Sequence, residues 1–213
     1  MQGAVARQQQ RPIVVEPFRA MRRRHTDETT VRIGTIVDIS GSMSGAMEDM
    51  ASMSWIISNA VHQIEGDAAT IYFGTSTFPT LRPGEAQREV QVYDAPDGHE
   101  EFREASQGID GAMDLTYGDG ARIAIVVSDG QYKHDEAPAV EPWIRDLTAA
   151  GVAVIWANYG YPNDALKALA KKYEMFHWLP MQEMVDRKQG NALEIAAATV
   201  GRVAVDLLRK WQG

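Results

Sequence analysis

Asp38, Ser40 and Ser42 alternate in the stretch TIVDISGSMSG (residues 35–45) and put three side-chain oxygens on one side of a short loop. Carboxylate and hydroxyl oxygens suit a hard divalent ion such as Mg2+, Mn2+ or Ca2+ rather than zinc. The same stretch supports a second chemistry. Gly41-Ser42-Met43-Ser44-Gly45 fits G-x-S-x-G, the pattern of a serine nucleophile on a sharp strand-to-helix turn, and Asp129 and His177 follow Ser44 in the order Ser, Asp, His.

A second polar signature, Ser128-Asp129-Gly130, ends ARIAIVVSDG (121–130), the most apolar run of the chain. If this run neighbours VRIGTIVDI (31–39) in a sheet, their tips lie about 5 Å apart and Asp38 and Asp129 face one site. Two carboxylates brought that close repel, and each loses hydration. A divalent cation relieves both penalties. Capping of the next helix by Ser42 or Ser44, with Asp38 as a turn residue, is the plainer account of the first motif, but it leaves Asp129 unexplained.

Three features weigh against the nucleophile. A hydrolase elbow follows an interior strand with others before it in sequence, whereas Ser44 follows the first strand. No glycine-rich oxyanion loop precedes it, and residues 1–30 offer only Gly3. His177 falls inside a predicted strand, MFHWL (175–179), rather than on a loop. An aspartyl phosphatase needs a second aspartate two residues after the first, where this chain has Ser40. Dinucleotide binding lacks its G-x-G-x-x-G after the first strand.

The elements that must position these residues are legible from periodicity. Short apolar runs predict strands at 31–39, 69–75, 88–94, 121–130, 152–160 and 175–179. The connection from 75 to 88 is too short for a helical crossover, so strands two and three are expected to pair antiparallel. Met47, Met50, Ile57, Val61 and Ile64 recur at helical spacing and predict a helix over 43–65, stopped by Gly66. Phe102, Ala105, Ile109, Ala112 and Thr116 predict another, and helices are expected at 137–150 and 164–173. A last helix over 190–211 carries Leu193, Ala197, Val200, Ala204 and Leu207 on one stripe. Strands alternating with helices imply an α/β fold: a doubly wound, mostly parallel, Rossmann-like six-stranded sheet with one antiparallel edge strand and helices on both faces.

Composition bounds the rest. The chain has 213 residues, 45 % apolar and 23 % charged, with no cysteine and a net charge of −8. Residues 1–30 read as a basic extension or linker and 31–213 as one domain large enough to bury a core unaided. The absence of cysteine excludes disulfides, thiolate metal sites and cysteine nucleophiles, and it suits a reducing compartment. No run approaches the roughly 18 apolar residues that span a bilayer, and the first residues lack a secretory apolar segment. A cytoplasmic protein with no membrane partner is expected. The negative charge argues against nucleic acid, and Arg22, Arg23, Arg24 and His25 read as a solvated arm or an anchor for an acidic partner. His62 and His134 read as solvated, and Trp143, Trp156 and Trp178 as core or near-core aromatics.

Asp38-x-Ser40-x-Ser42-Met43 ending a first buried strand, together with Ser128-Asp129-Gly130 ending a later one, resembles the von Willebrand factor A-type domain and its metal-ion-dependent adhesion site. The resemblance covers about residues 30–210. It implies that Ser40 and Ser42 bind the metal directly and that Asp38 and Asp129 sit beside it, often through waters. It also implies an open coordination position for an acidic residue of a partner protein, and hence a binding module rather than an enzyme. The lack of cysteine and of a signal peptide resembles the intracellular branch that accompanies ring-shaped ATPases of the AAA+ class.

The sequence departs from that pattern at one place. The Gly-Gly-Thr loop is missing. Glu100 takes the threonine position if the segment is GHEEFREAS, and Gln107, beside Ser106, takes it if the segment is ASQGIDGAM. The first is preferred, because the second interrupts the helix predicted from Phe102 to Thr116, and either His99 or Glu100 then approaches the ion. A fixed carboxylate there lowers the ion's residual charge, which opens the alternative of a degenerate or purely structural site.

Overall fold

The computed structural model describes residues 31–93, 100–132, 134–187 and 191–212. Residues 1–30 and His99 therefore lie outside the described residues, as do the side chains of Leu193, Trp211 and Gln212.

Six strands form one sheet: β1 (Val31–Asp38), β2 (Asp67–Phe73), β3 (Thr77–Leu81), β4 (Ala121–Ser128), β5 (Ala153–Asn158) and β6 (Phe176–Pro180). Their order is β3-β2-β1-β4-β5-β6. β3 runs antiparallel to β2, and every other pair is parallel. The chain winds outward from β1 to one edge, then crosses to β4 and winds to the other. The direction of winding thus reverses between β1 and β4, where a crevice opens at the strand ends.

β1 and β4 are covered on both faces, so their sequences read as continuous apolar runs rather than alternating ones. On one face Ile33, Val37, Ile123 and Val127 meet α1 (Met47–Gln63) and α6 (Ala192–Gln212). On the other, Ile36, Val126, Val154 and Trp156 meet α2 (Phe102–Met113), α3 (Ala137–Ala149) and α4 (Asp164–Lys172). A short helix, α5 (Met181–Asp186), follows β6.

The predicted architecture is the one observed, with local corrections. The antiparallel edge strand is Thr77–Leu81, inside the stretch read as a connection. Residues 88–93 form no strand, and Val90 and Val92 are exposed. The helix after β1 opens as a 3-10 turn (Gly41–Ala46) before α1 begins. Ile64 lies beyond α1 and is 60 % exposed, and Glu65, not Gly66, takes the left-handed conformation (φ 56°). α2 ends at Met113, whose buried side chain completes its inner face, while Ala112 is exposed and Thr116 lies past the helix. α6 buries Ile195, Ala196, Val200, Val203 and Leu207, and Ala197 faces solvent.

Candidate metal centre

Parallel pairing of β1 with β4 in the register Val37↔Val127 sets the end of β1 beside the end of β4. Asp38, the last residue of β1, is wholly buried there. Both of its oxygens are engaged. Oδ1 accepts the Ser40 N–H at 2.8 Å, and Oδ2 accepts the Ser128 hydroxyl at 2.7 Å. Ser128 Oγ in turn accepts the Gly130 N–H at 2.9 Å. Asp129, also buried, accepts the Gln131 N–H on Oδ1 at 2.9 Å.

The Asp129 loop is shaped by two glycines. Gly130 adopts φ +71°, a conformation that favours a residue without Cβ. Gly160, just past β5, packs so closely that a Cβ there would lie 2.5 Å from Asp129 Cβ. The carboxylate is thus clamped between its own turn and a neighbouring strand end.

Ser40 is buried and Ser42 exposed, with their hydroxyl oxygens 3.1 Å apart. Neither the 3-10 turn nor α1 has a side-chain cap at its start, so the capping expected of Ser42 or Ser44 is not made. Ser44, on the same turn, is exposed.

The electrostatics follow from burial. Loss of hydration raises the Asp38 carboxyl to about 6, against the hydrogen bonds from Ser40 and Ser128, and the nearby charge of Asp129 adds to the rise. An Asp38 so placed carries its charge at a cost in lost hydration, which a cation beside it would offset. Glu100, buried just before α2, reaches the same neighbourhood: Tyr132 feels the charges of Asp38, Asp129 and Glu100 together.

These residues fit a hard cation in two respects. Adjacent ligands of an octahedral ion with bonds of 2.0–2.1 Å stand about 3 Å apart, a spacing that the Ser40 and Ser42 hydroxyls, hydrogen-bonded to each other at 3.1 Å, already hold. The donors are carboxylates and hydroxyls, with no imidazole or thiolate among them. Among the described residues, no group of three or more His, Asp or Glu side chains converges closely enough to hold a metal on carboxylates and imidazoles alone. Direct ligation would therefore fall to the hydroxyls and to water, as Mg2+ favours.

A cleft of about 670 Å³ opens beside Ser42 and Asp129, walled by Tyr159, Tyr161, Pro162 and Pro180. Tyr161 is 83 % exposed on its rim. Sequence reasoning named Ser128 only as part of a motif, and its role as the donor that orients Asp38 emerges from the register.

Ser44, Asp129 and His177 are not brought together. β6 lies three strands from β1, a lateral separation of about 14 Å. His177 sits low in that strand opposite Ile155 and shares a groove with Arg202 and Asp206. His62 and His134 are exposed, as read from the sequence, and Trp156 is wholly buried with Trp143 and Trp178 half-buried.

A doubly wound sheet with five parallel strands, an antiparallel edge and its switch point between β1 and β4 defines a Rossmann-like α/β domain. Its fold is that of the von Willebrand factor A (VWA) domain. The VWA domain of SpRpn10 matches with a TM-score of 0.54 at 12 % identity over 71 % of this chain and 87 % of that one. Manganese-loaded TRAP protein of Plasmodium vivax matches with 0.52 at 16 % identity, over 74 % and 71 %. An aerotolerance-related membrane protein from Bacteroides fragilis matches with 0.52 at 11 % identity, over 81 % and 98 %. No protein-family profile and no curated protein sequence matches the chain. Among the described residues no helix is long and apolar enough to cross a membrane.

Proposed function

We propose that this domain is a divalent-cation-dependent protein-interaction module and not an enzyme. The observation that carries the reading is the buried Asp38 carboxylate, held on both oxygens beside Asp129 at the switch point, with the Ser40 and Ser42 hydroxyls 3.1 Å apart in front of it. Ser40, Ser42, Asp38, Asp129 and Glu100 would hold Mg2+, Mn2+ or Ca2+. A bound cation supplies positive charge and an open position for an aspartate or glutamate of a partner protein. Asp38 holds the Ser40 loop by its backbone N–H, Ser128 fixes the Asp38 rotamer, and the Tyr159–Tyr161 wall offers an apolar surface next to the ion. The cation in a structurally similar protein, the manganese-loaded TRAP, is consistent with this chemistry.

The separation of His177 from Ser44 supports the non-enzymatic reading over serine hydrolysis. A AAA+ ATPase is the proposed partner and the cytoplasm the proposed location; the motif resemblance and the cysteine-free composition support them. The test is affinity capture from lysate by the wild-type domain with Mg2+ and with EDTA, and by Asp38→Ala with Mg2+. The expected result is a partner retained only by the wild type in Mg2+. A partner held equally well in EDTA contradicts metal dependence.

A further inference from the structure

Tyr132, three residues past Asp129, folds back over the face of the sheet covered by α2, α3 and α4. Its ring lies 5.0 Å from Phe102, 6.0 Å from Trp156 and 6.3 Å from Phe73. Contacts with three aromatic neighbours fix the ring and so fix where its hydroxyl points. That hydroxyl is buried and makes no hydrogen bond to any described residue. The Ser128 hydroxyl is close enough to act on the phenol, and the charges of Asp38, Asp129 and Glu100 act on it as well. Burial first, and then those carboxylates, push the phenol well above the usual tyrosine range, so it keeps its proton.

A buried O–H without an acceptor destabilises a fold by about 1–3 kcal/mol. Phenylalanine would fill the same aromatic seat without that penalty. The hydroxyl is therefore not explained by packing, and it lies within electrostatic reach of both aspartates.

We propose that Tyr132 is a positioning residue of the cation site, its hydroxyl supplying a neutral oxygen and a hydrogen-bond donor to the waters and carboxylates gathered around the ion. This inference rests on the cation reading of Asp38 and Asp129.

Tyr132→Phe tests it. The wild type and the variant are stripped with EDTA, melted without metal, and titrated with MgCl2 by calorimetry and by near-ultraviolet difference absorption. The variant is expected to melt at or above the wild-type temperature in EDTA, because an unpaired buried hydroxyl has gone. Its Mg2+ affinity is expected to fall about tenfold, in the range for groups that orient metal ligands. The tyrosine difference signal that Mg2+ induces in the wild type should disappear. Equal Mg2+ affinity in the two proteins overturns the role of Tyr132 and leaves the cation site standing. A lower melting temperature of the variant in EDTA assigns the hydroxyl to fold stability and also overturns it. Absence of Mg2+ binding by the wild type overturns this inference together with the reading beneath it.

Discussion

The Ser128 hydroxyl donates a 2.7 Å hydrogen bond to Asp38 Oδ2 across 90 residues of chain. The contact exists because β1 and β4 pair in parallel at the switch point, and it joins the two polar motifs of the sequence into one site. It also aims Asp38 away from solvent, which makes that residue the sensitive point of the domain.

Asp38→Asn removes the buried charge while keeping the shape. Without metal at neutral pH the variant should be as stable as the wild type or more so, because desolvation of the ionised carboxylate is relieved. The same variant should gain nothing from Mg2+. Thermal unfolding with EDTA and with Mg2+ checks both halves. A variant that is strongly destabilised in EDTA and still stabilised by Mg2+ contradicts the assignment.

The pH dependence has a definite sign. The Asp38 carboxyl is raised from 3.8 to about 6 in the fold, so over that interval it is protonated in the folded chain and ionised in the unfolded one. Its contribution is fully present below 3.8 and is lost as pH rises through about 6, a loss of roughly 3 kcal/mol at most. Denaturant melts in EDTA at pH 5 and pH 7.5 should show it. Mg2+ acts in the opposite sense, since it requires the ionised form, and its stabilising effect should be larger at pH 7.5 than at pH 5.

Gly160→Ala probes the clamp on Asp129. The added Cβ would stand 2.5 Å from Asp129 Cβ and 3.2 Å from its Cα and carbonyl oxygen, so backbone must move. A loss of about 1–3 kcal/mol in stability is expected, as for other overpacked sites. A several-fold drop in Mg2+ affinity should accompany it, measured by titration calorimetry. Unchanged affinity would mean that the position of Asp129 is immaterial to the ion.

Ser44→Ala separates module from hydrolase. Ser44 is exposed and lies three strands across from His177. The variant should capture the partner as the wild type does, and a fluorophosphonate probe should label neither protein. Stoichiometric labelling of Ser44 in the wild type, lost in the variant, would restore the nucleophile reading.

The strands that cross the core were readable because a strand buried on both faces is one apolar run, as in VRIGTIVD and ARIAIVVS. The edge was not. Thr77–Leu81 contains Pro79, which reads as a loop residue but is tolerated where one side of a strand has no partner. REVQV imitates a strand by alternating its valines, yet among the described residues no strand pairs with it. The α6 stripe was read one residue out of phase near its start because alanines occupy 196, 197 and 198 and do not distinguish inside from outside. Asp38, Ser40, Ser42 and Asp129 were legible as residue types at strand ends. Tyr132 was not, because its place is set by packing against Phe102, Trp156 and Phe73, which are distant in sequence.

Calorimetric titration of MgCl2 into the EDTA-stripped domain, wild type against Asp38→Ala, reaches the central claim most directly. Saturable binding at one site in the wild type, absent from the variant, is the predicted result. Heats of dilution alone in the wild type, or identical isotherms for the two proteins, would contradict it.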